Sequence, residues 1–165
     1  MKAMKTVYFF GTVLLAVLLT ATGQTACTSA RSASKGEQAQ AVKQQIESRR
    51  YTVSVNRMVP MKAPSQYLTS NYSLTVRGDT VISRLPYFGQ AYSVPYGGGK
   101  GLNFESTVTD YSLSFDAKGR AQISFRTRSE NDVLLYRIEV FGNGSSSIRV
   151  SSNSRQSIGF YGTME

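Results

Sequence analysis

The chain has 165 residues and a formal charge of +9, with 41% hydrophobic and 18% charged residues. That is one domain's worth of an ordinary globular mixture, and it argues against global disorder. With no His and a single Cys, it excludes a Ser-His-Asp triad, a Cys-His dyad, an imidazole metal site, an intrachain disulfide and a Cys-rich zinc site.

At the N-terminus, Lys2 and Lys5 precede an apolar run from Val7 to Leu19, followed by the small residues Thr20 to Gly23. A basic start, about a dozen apolar residues and a small-residue stretch read as a secretory signal peptide over residues 1–26, cut near Gly23 or Ala26. The alternative is an uncleaved anchor, but the run falls short of the roughly 20 residues a span needs. Cys27 sits where a bacterial lipoprotein would accept its lipid. Ala26 fits such a site, whereas Gln24 stands where an aliphatic residue is expected. A lipid on Cys27 would be the only membrane contact, and with more than one acyl chain it would hold stably. The expected location is exported, periplasmic or outer-membrane-associated.

Residues 27–35 are small and polar and read as a flexible tether to a single β-rich domain over 36–165. Ser34 and Glu37 match a capping box, and Ala39, Val42 and Ile46 follow at helical spacing, which predicts one short helix over 36–49. Its apolar stripe is thin, so loose packing on one side of the domain is expected.

From Tyr51 onward the apolar period is two, as in Tyr51-Val53-Val55, Tyr72-Leu74-Val76, Tyr111-Leu113-Phe115 and Ala121-Ile123-Phe125. Strict alternation marks antiparallel strands with one buried face. Strands are predicted over 51–59, 71–77, 80–85, 103–108, 111–116, 120–127, 133–141 and 146–151, with a ninth over 156–162. Turn signals separate them at Gly78-Asp79, Ala117-Lys118-Gly119 and Gly142-Asn143-Gly144. The fold class is mainly β: an antiparallel β-barrel or sandwich of about eight strands, a lipocalin-like barrel being one such form. Leu113, Phe115, Ile123, Phe125, Ile138 and Val140 are the expected core. About 115 β residues bury a core without help, so no cofactor is expected.

One stretch breaks the pattern. Leu85 to Leu102 is a long Pro, Gly and aromatic link, and loops beyond about 12 residues in compact domains tend to be functional or mobile. Gly78-Asp79, Leu85-Pro86-Tyr87-Phe88-Gly89, Ala91-Tyr92, Pro95-Tyr96-Gly97-Gly98 and Gly101-Leu102 together resemble the signature of the domain of unknown function 4251, a family of exported Bacteroidetes proteins. Val140-Phe141-Gly142-Asn143-Gly144-Ser145 and Arg155-Gln156-Ser157-Ile158 resemble it too. The resemblance spans roughly residues 37–163. It implies an exported β-rich domain and supplies neither an activity nor catalytic residues.

Several motifs have bland readings. Gly97-Gly98-Gly99-Lys100-Gly101 lacks the Ser or Thr and the helix that a phosphate loop needs. Arg77-Gly78-Asp79 is a hairpin turn before it is an adhesion tripeptide. Arg77, Arg84, Arg120, Arg126, Arg137, Arg149 and Arg155 stand singly and read as solvated strand faces, with an anionic surface or glycan as the alternative. No nucleic-acid partner is expected. Asp79, Glu105, Asp110, Asp116, Glu130, Asp132 and Glu139 could in principle supply a glycosidase pair, but none forms a local motif and most fall at predicted turns or wet strand positions. Glu130-Asn131-Asp132 offers too few oxygens for calcium.

The leading site candidates are the rings of Tyr87, Phe88, Tyr92 and Tyr96, which could stack on a sugar or grip a peptide. The alternative is that they plug a barrel end. The functional expectation is a non-enzymatic, exported binding module whose partner is a small molecule, a glycan or an envelope protein. The alternative is a carboxylate-dependent hydrolase.

Overall fold

The computed structural model describes residues 27–90, 92, 101–129 and 132–165, with side chains from residue 34 onward. The expected signal peptide therefore lies outside the described residues. The chain divides into two units, residues 1–34 and residues 35–165. The second holds the barrel and the C-terminal part of the helix. Among the described residues no helix is long and apolar enough to cross a membrane.

Helix α1 runs Cys27–Glu47. The tether expected over 27–35 lies within it, and Ser34 and Gly36 are interior residues instead of a cap. Composition misled here because Ala30, Arg31, Ala33 and Lys35 carry helix propensity even where no apolar stripe shows. Among the described side chains of the helix, Ile46 is fully buried, Val42 packs against the core and Ala39 is half-buried. The helix ends at Glu47, and two residues on Arg49, whose backbone takes the left-handed conformation (φ 52°), turns the chain into the first strand.

Eight strands follow: β1 Arg50–Pro60, β2 Gln66–Arg77, β3 Thr80–Leu85, β4 Leu102–Phe115, β5 Ala121–Ser129, β6 Asp132–Val140, β7 Ser145–Ser152 and β8 Ile158–Met164. Each pairs antiparallel with the next, and β8 pairs with β1, so the sheet closes into an up-and-down barrel. The strands expected over 103–108 and 111–116 are one strand, β4. A register shift between Thr109 and Ser112 interrupts it, with Asp110 in the left-handed region (φ 52°). The extra residue moves the inward positions from Leu102, Phe104 and Val108 to Tyr111 and Leu113. Gly78 (φ 61°) makes the β2–β3 turn that its sequence implies.

Side chains fill the interior. Phe125 stacks on Tyr136 at 5.1 Å between centroids and on Tyr111 at 6.2 Å. The Tyr136 hydroxyl donates to Ser83 Oγ (3.1 Å), which donates to the Leu102 carbonyl (2.6 Å). Ile123, Phe125, Ile138 and Val140 are buried as expected, and Leu113 packs against the core from a half-buried position. Phe115 is the exception: at the end of β4 it is 37% exposed, and its ring takes the Lys43 ammonium at 5.3 Å. Period two identified its face; its place at the strand end put it at the rim.

The strands' up-and-down order gives the barrel two ends. At one are α1 and the hairpin turns after β2, β4 and β6. At the other are the β1–β2 turn, the link after β3, the β5–β6 turn and the β7–β8 connection.

Candidate functional site

The second end holds the aromatic link. β3 stops at Leu85, buried in the core, and Pro86 prevents its backbone from donating to a further ladder. Tyr87 then turns inward, half-buried against the core. Its hydroxyl lies 3.0 Å from the Gln90 carbonyl and 3.2 Å from that of Gln156, donating toward both. A β-carbon on Gly89 would sit 2.9 Å from that hydroxyl, so the residue after Phe88 must be small for the ring to fold back. Burial raises the Tyr87 phenol above its ordinary pKa, and the Arg155 guanidinium, 5.3 Å from the ring centroid, opposes this.

The link is stapled to the β7–β8 connection. Gln90 and Gln156 bond through side chains (3.2 Å) and through the Gln156 N–H to the Gln90 carbonyl (3.0 Å), and the Tyr92 N–H reaches the Ser154 carbonyl at 2.7 Å. Arg155 secures the link's far end by donating from Nη1 to the Gly101 carbonyl (3.0 Å). Its Nε donates to Asp132 Oδ2 at 2.9 Å, with the two side chains only 13% and 9% exposed. Asp132 also accepts from Ser152 Oγ at 2.7 and 2.8 Å. The sequence suggests Arg155 on a solvated face and Asp132 among carboxylates that mostly fall at turns or wet strand positions. Both are corrected, because the chain turns inward between β7 and β8 and carries the guanidinium to the carboxylate at the start of β6.

Beside this staple lies a cleft of about 350 Å³, lined by Pro60, Lys62 and Ala63 on one side and by Tyr87, Phe88, Gly89, Gln90 and Gln156 on the other. Of the four candidate rings, Tyr87 forms part of its wall from an anchored position, and Phe88 stands 54% exposed at its lip. Tyr92 is 68% exposed and does not line the cleft. Tyr96 and residues 97–100 of the glycine run lie outside the described residues, as do Glu130 and Asn131. Lys62, Ala63, Gln90 and Gln156 were missed as site residues. The available signal was Arg155-Gln156, quoted for the family resemblance; in space it meets Tyr87, Gly89, Gln90 and Gly101.

The hydrolase reading requires two carboxylates of contrasting acidity. Asp116 and Glu139 share the Arg120 guanidinium, at 3.0 and 3.2 Å. Backbone hydrogen bonding from Arg120, ahead of the charge on its side chain, lowers the Asp116 pKa, the reverse of what a general acid needs. Among the described residues no group of three or more Cys, Asp or Glu could hold a metal ion. Cys27 is the first residue of α1.

A family model described as "Domain of unknown function (DUF4251)" matches residues 33–164. The fold is similar to the crystal structure of a DUF4251 family protein from Bacteroides eggerthii DSM 20697, with a TM-score of 0.61 and 14% identity, covering 80% of this chain and 89% of that one. No curated protein matches.

Proposed function

The chain belongs to the DUF4251 family, whose description names no activity, and from that premise we propose that it is a non-enzymatic binding domain of an exported envelope protein, taking its ligand at the cleft beside the aromatic link. The observation that carries the reading is Phe88: a large ring 54% exposed at the lip of a cleft whose adjoining wall, Tyr87, Gln90 and Gln156, is fixed by hydrogen bonds. Exposed rings are ordinary singly, but one framed by a preformed concavity and by convergent amides matches a small-ligand site. Gln90, Gln156 and Lys62 supply the polar contacts, and Tyr87 supplies a wall that costs little to order because it is already held.

Export by the segment 1–26 belongs to the same proposal, with Cys27 as the lipid-bearing residue if the anchor is present. Mass spectrometry of molecules retained by protein taken from its native envelope fraction tests the binding. Phe88→Ala should lose the retained molecule while the unfolding midpoint holds. Retention unchanged in Phe88→Ala and Gln156→Ala overturns the site. Intact mass of the same material reads the cut near Gly23 or Ala26, and membrane association surviving Cys27→Ser removes the lipid.

A further inference from the structure

The outer wall of the barrel carries a feature separate from the cleft. The β6–β7 register sets Arg137 directly opposite Arg149. Directly opposed side chains have β-carbons about 5 Å apart, and like charges placed there repel. Both residues are exposed, and among the described residues neither has an ion pair or a hydrogen bond. Arg49, Arg120, Arg126 and Arg155 each reach a carboxylate, whereas Arg50, Arg57, Arg77, Arg84 and Arg128 make no ion pair among the described residues; the Arg137 and Arg149 pair is set apart by standing between two grooves. The acid two positions along β6 from Arg137, Glu139, is engaged by Arg120.

The pair stands as a ridge between two shallow grooves. Over β8, the absence of a side chain at Gly159 opens a groove of about 270 Å³ between Val59 of β1 and Ser147 and Arg149 of β7, with Tyr161 on its lining. Over β5, a groove of about 240 Å³ has Ser112, Ser114, Ser124 and Arg137 on its lining, together with Glu139, whose carboxylate is taken by Arg120. Tyr161 is 43% exposed, and the Arg57 guanidinium lies 4.5 Å from its ring centroid. The wall therefore combines an unneutralised cation pair, a row of hydroxyls and one steadied ring on low relief.

We propose that this wall binds an acidic oligosaccharide, with one sulfate or carboxylate group held between Arg137 and Arg149 and a sugar ring laid on Tyr161. An oxyanion between two guanidinium forks accepts paired hydrogen bonds and cancels the repulsion already present in the free protein. Serine hydroxyls along both grooves match the hydroxyls of a sugar chain. Arg50 and Arg77 are also directly opposed, but they border one concavity that Glu165 shares and do not stand between two serine-lined grooves, so that pair serves as the control.

The test is binding of the full-length protein to a heparin hexasaccharide and to a polygalacturonate oligomer. Neutral dextran and phosphatidylglycerol vesicles are run alongside. Arg137→Ser with Arg149→Ser should weaken binding of at least one acidic oligosaccharide by roughly ten-fold or more, with the unfolding midpoint unchanged or raised. Arg50→Ser with Arg77→Ser removes the same charge elsewhere and should change binding by less than about two-fold. Tyr161→Ala should weaken binding while leaving its salt dependence in place. Binding to neither acidic oligosaccharide overturns the proposal. So does an equal loss from the Arg50 and Arg77 pair, which is unspecific charge, or a matching loss on vesicles, which is a membrane surface.

Discussion

The two ends of the barrel are closed by different physics. At the helix end, Ile46 enters the core, and a β-carbon on Gly142 would lie 3.1 Å from that of Ala39, so the helix sits close on the β6–β7 turn. Short turns complete the closure. At the cleft end, a long link is tied down by amides, a phenol and a buried ion pair. Apolar closure is insensitive to small shifts of its neighbours. Polar closure depends on every partner being present, because a buried charge left alone is costly. The cleft end is thus the one whose rigidity can be removed by a single side chain, and it is the end that carries the proposed site.

The largest test of that contrast is Asp132→Ala. It strands Arg155 beneath the link and should cost about 3–5 kcal/mol in urea unfolding. Replacing both Asp132 and Arg155 by Leu should cost far less, and a small penalty for the single change would mean that the pair does not hold this end. The helix end is probed by Ile46→Ala, expected to lose about 2–5 kcal/mol for a fully buried side chain. Asp132→Ala should also free the link to proteases, whereas Ile46→Ala should not do so selectively.

Alkali separates the ends by a smaller effect. Burial, and then the neighbouring Tyr111 phenol, raise the Tyr51 pKa well above its ordinary 10.0. Neither the Tyr51 nor the Tyr111 hydroxyl has a hydrogen-bond partner of good geometry. The unfolded chain releases such protons near pH 10 and the folded chain does not. The contribution is therefore full below that pH and falls as pH rises through the folded pKa. Unfolding midpoints should drop as pH rises above about 10, and Tyr51→Phe should reduce that drop, leaving the part carried by Tyr87, Tyr111 and Tyr136, which burial also raises. Tyr87→Phe, at the cleft end, should cost about 1 kcal/mol through its lost hydrogen bonding. The smallest effect is Phe88→Ala, within about 0.5 kcal/mol of wild type, as for an exposed residue without structural partners.

The barrel was legible because its inward residues alternate. Val53-Val55, Leu74-Val76 and Ile123-Phe125 are buried as the period requires, and β3 starts and ends where its turn and Pro86 imply. Closure was not legible, since nothing in β1 or β8 taken separately says that Val53 faces Met164. The single strand β4 was hidden because the bulge at Asp110 flips the alternation and imitates a break. At the cleft, Tyr87 and Phe88 stood out by composition alone. Gln156 and Arg155 did not, because a polar residue in a connection carries no sign of burial until its distant partner is known.

The seam between β1 and β8 has a consequence for how the molecule is made. Its pairs join residues separated by roughly a hundred positions, so their loop-closure entropy is met only when most other strands are in place. The meander from β1 to β7 can assemble by neighbouring strand pairs, all joined by short turns except β3 and β4, which the long link connects. The last step must bring the two flanks of a seven-stranded sheet around β8. Gly162 narrows the choice further: a β-carbon there would collide with the Ser54 carbonyl, so the flanks meet only where that position is bare. Assembly is therefore expected to be gated by this final zippering, and a side chain at residue 162 would act on the rate of closure as well as on the finished barrel.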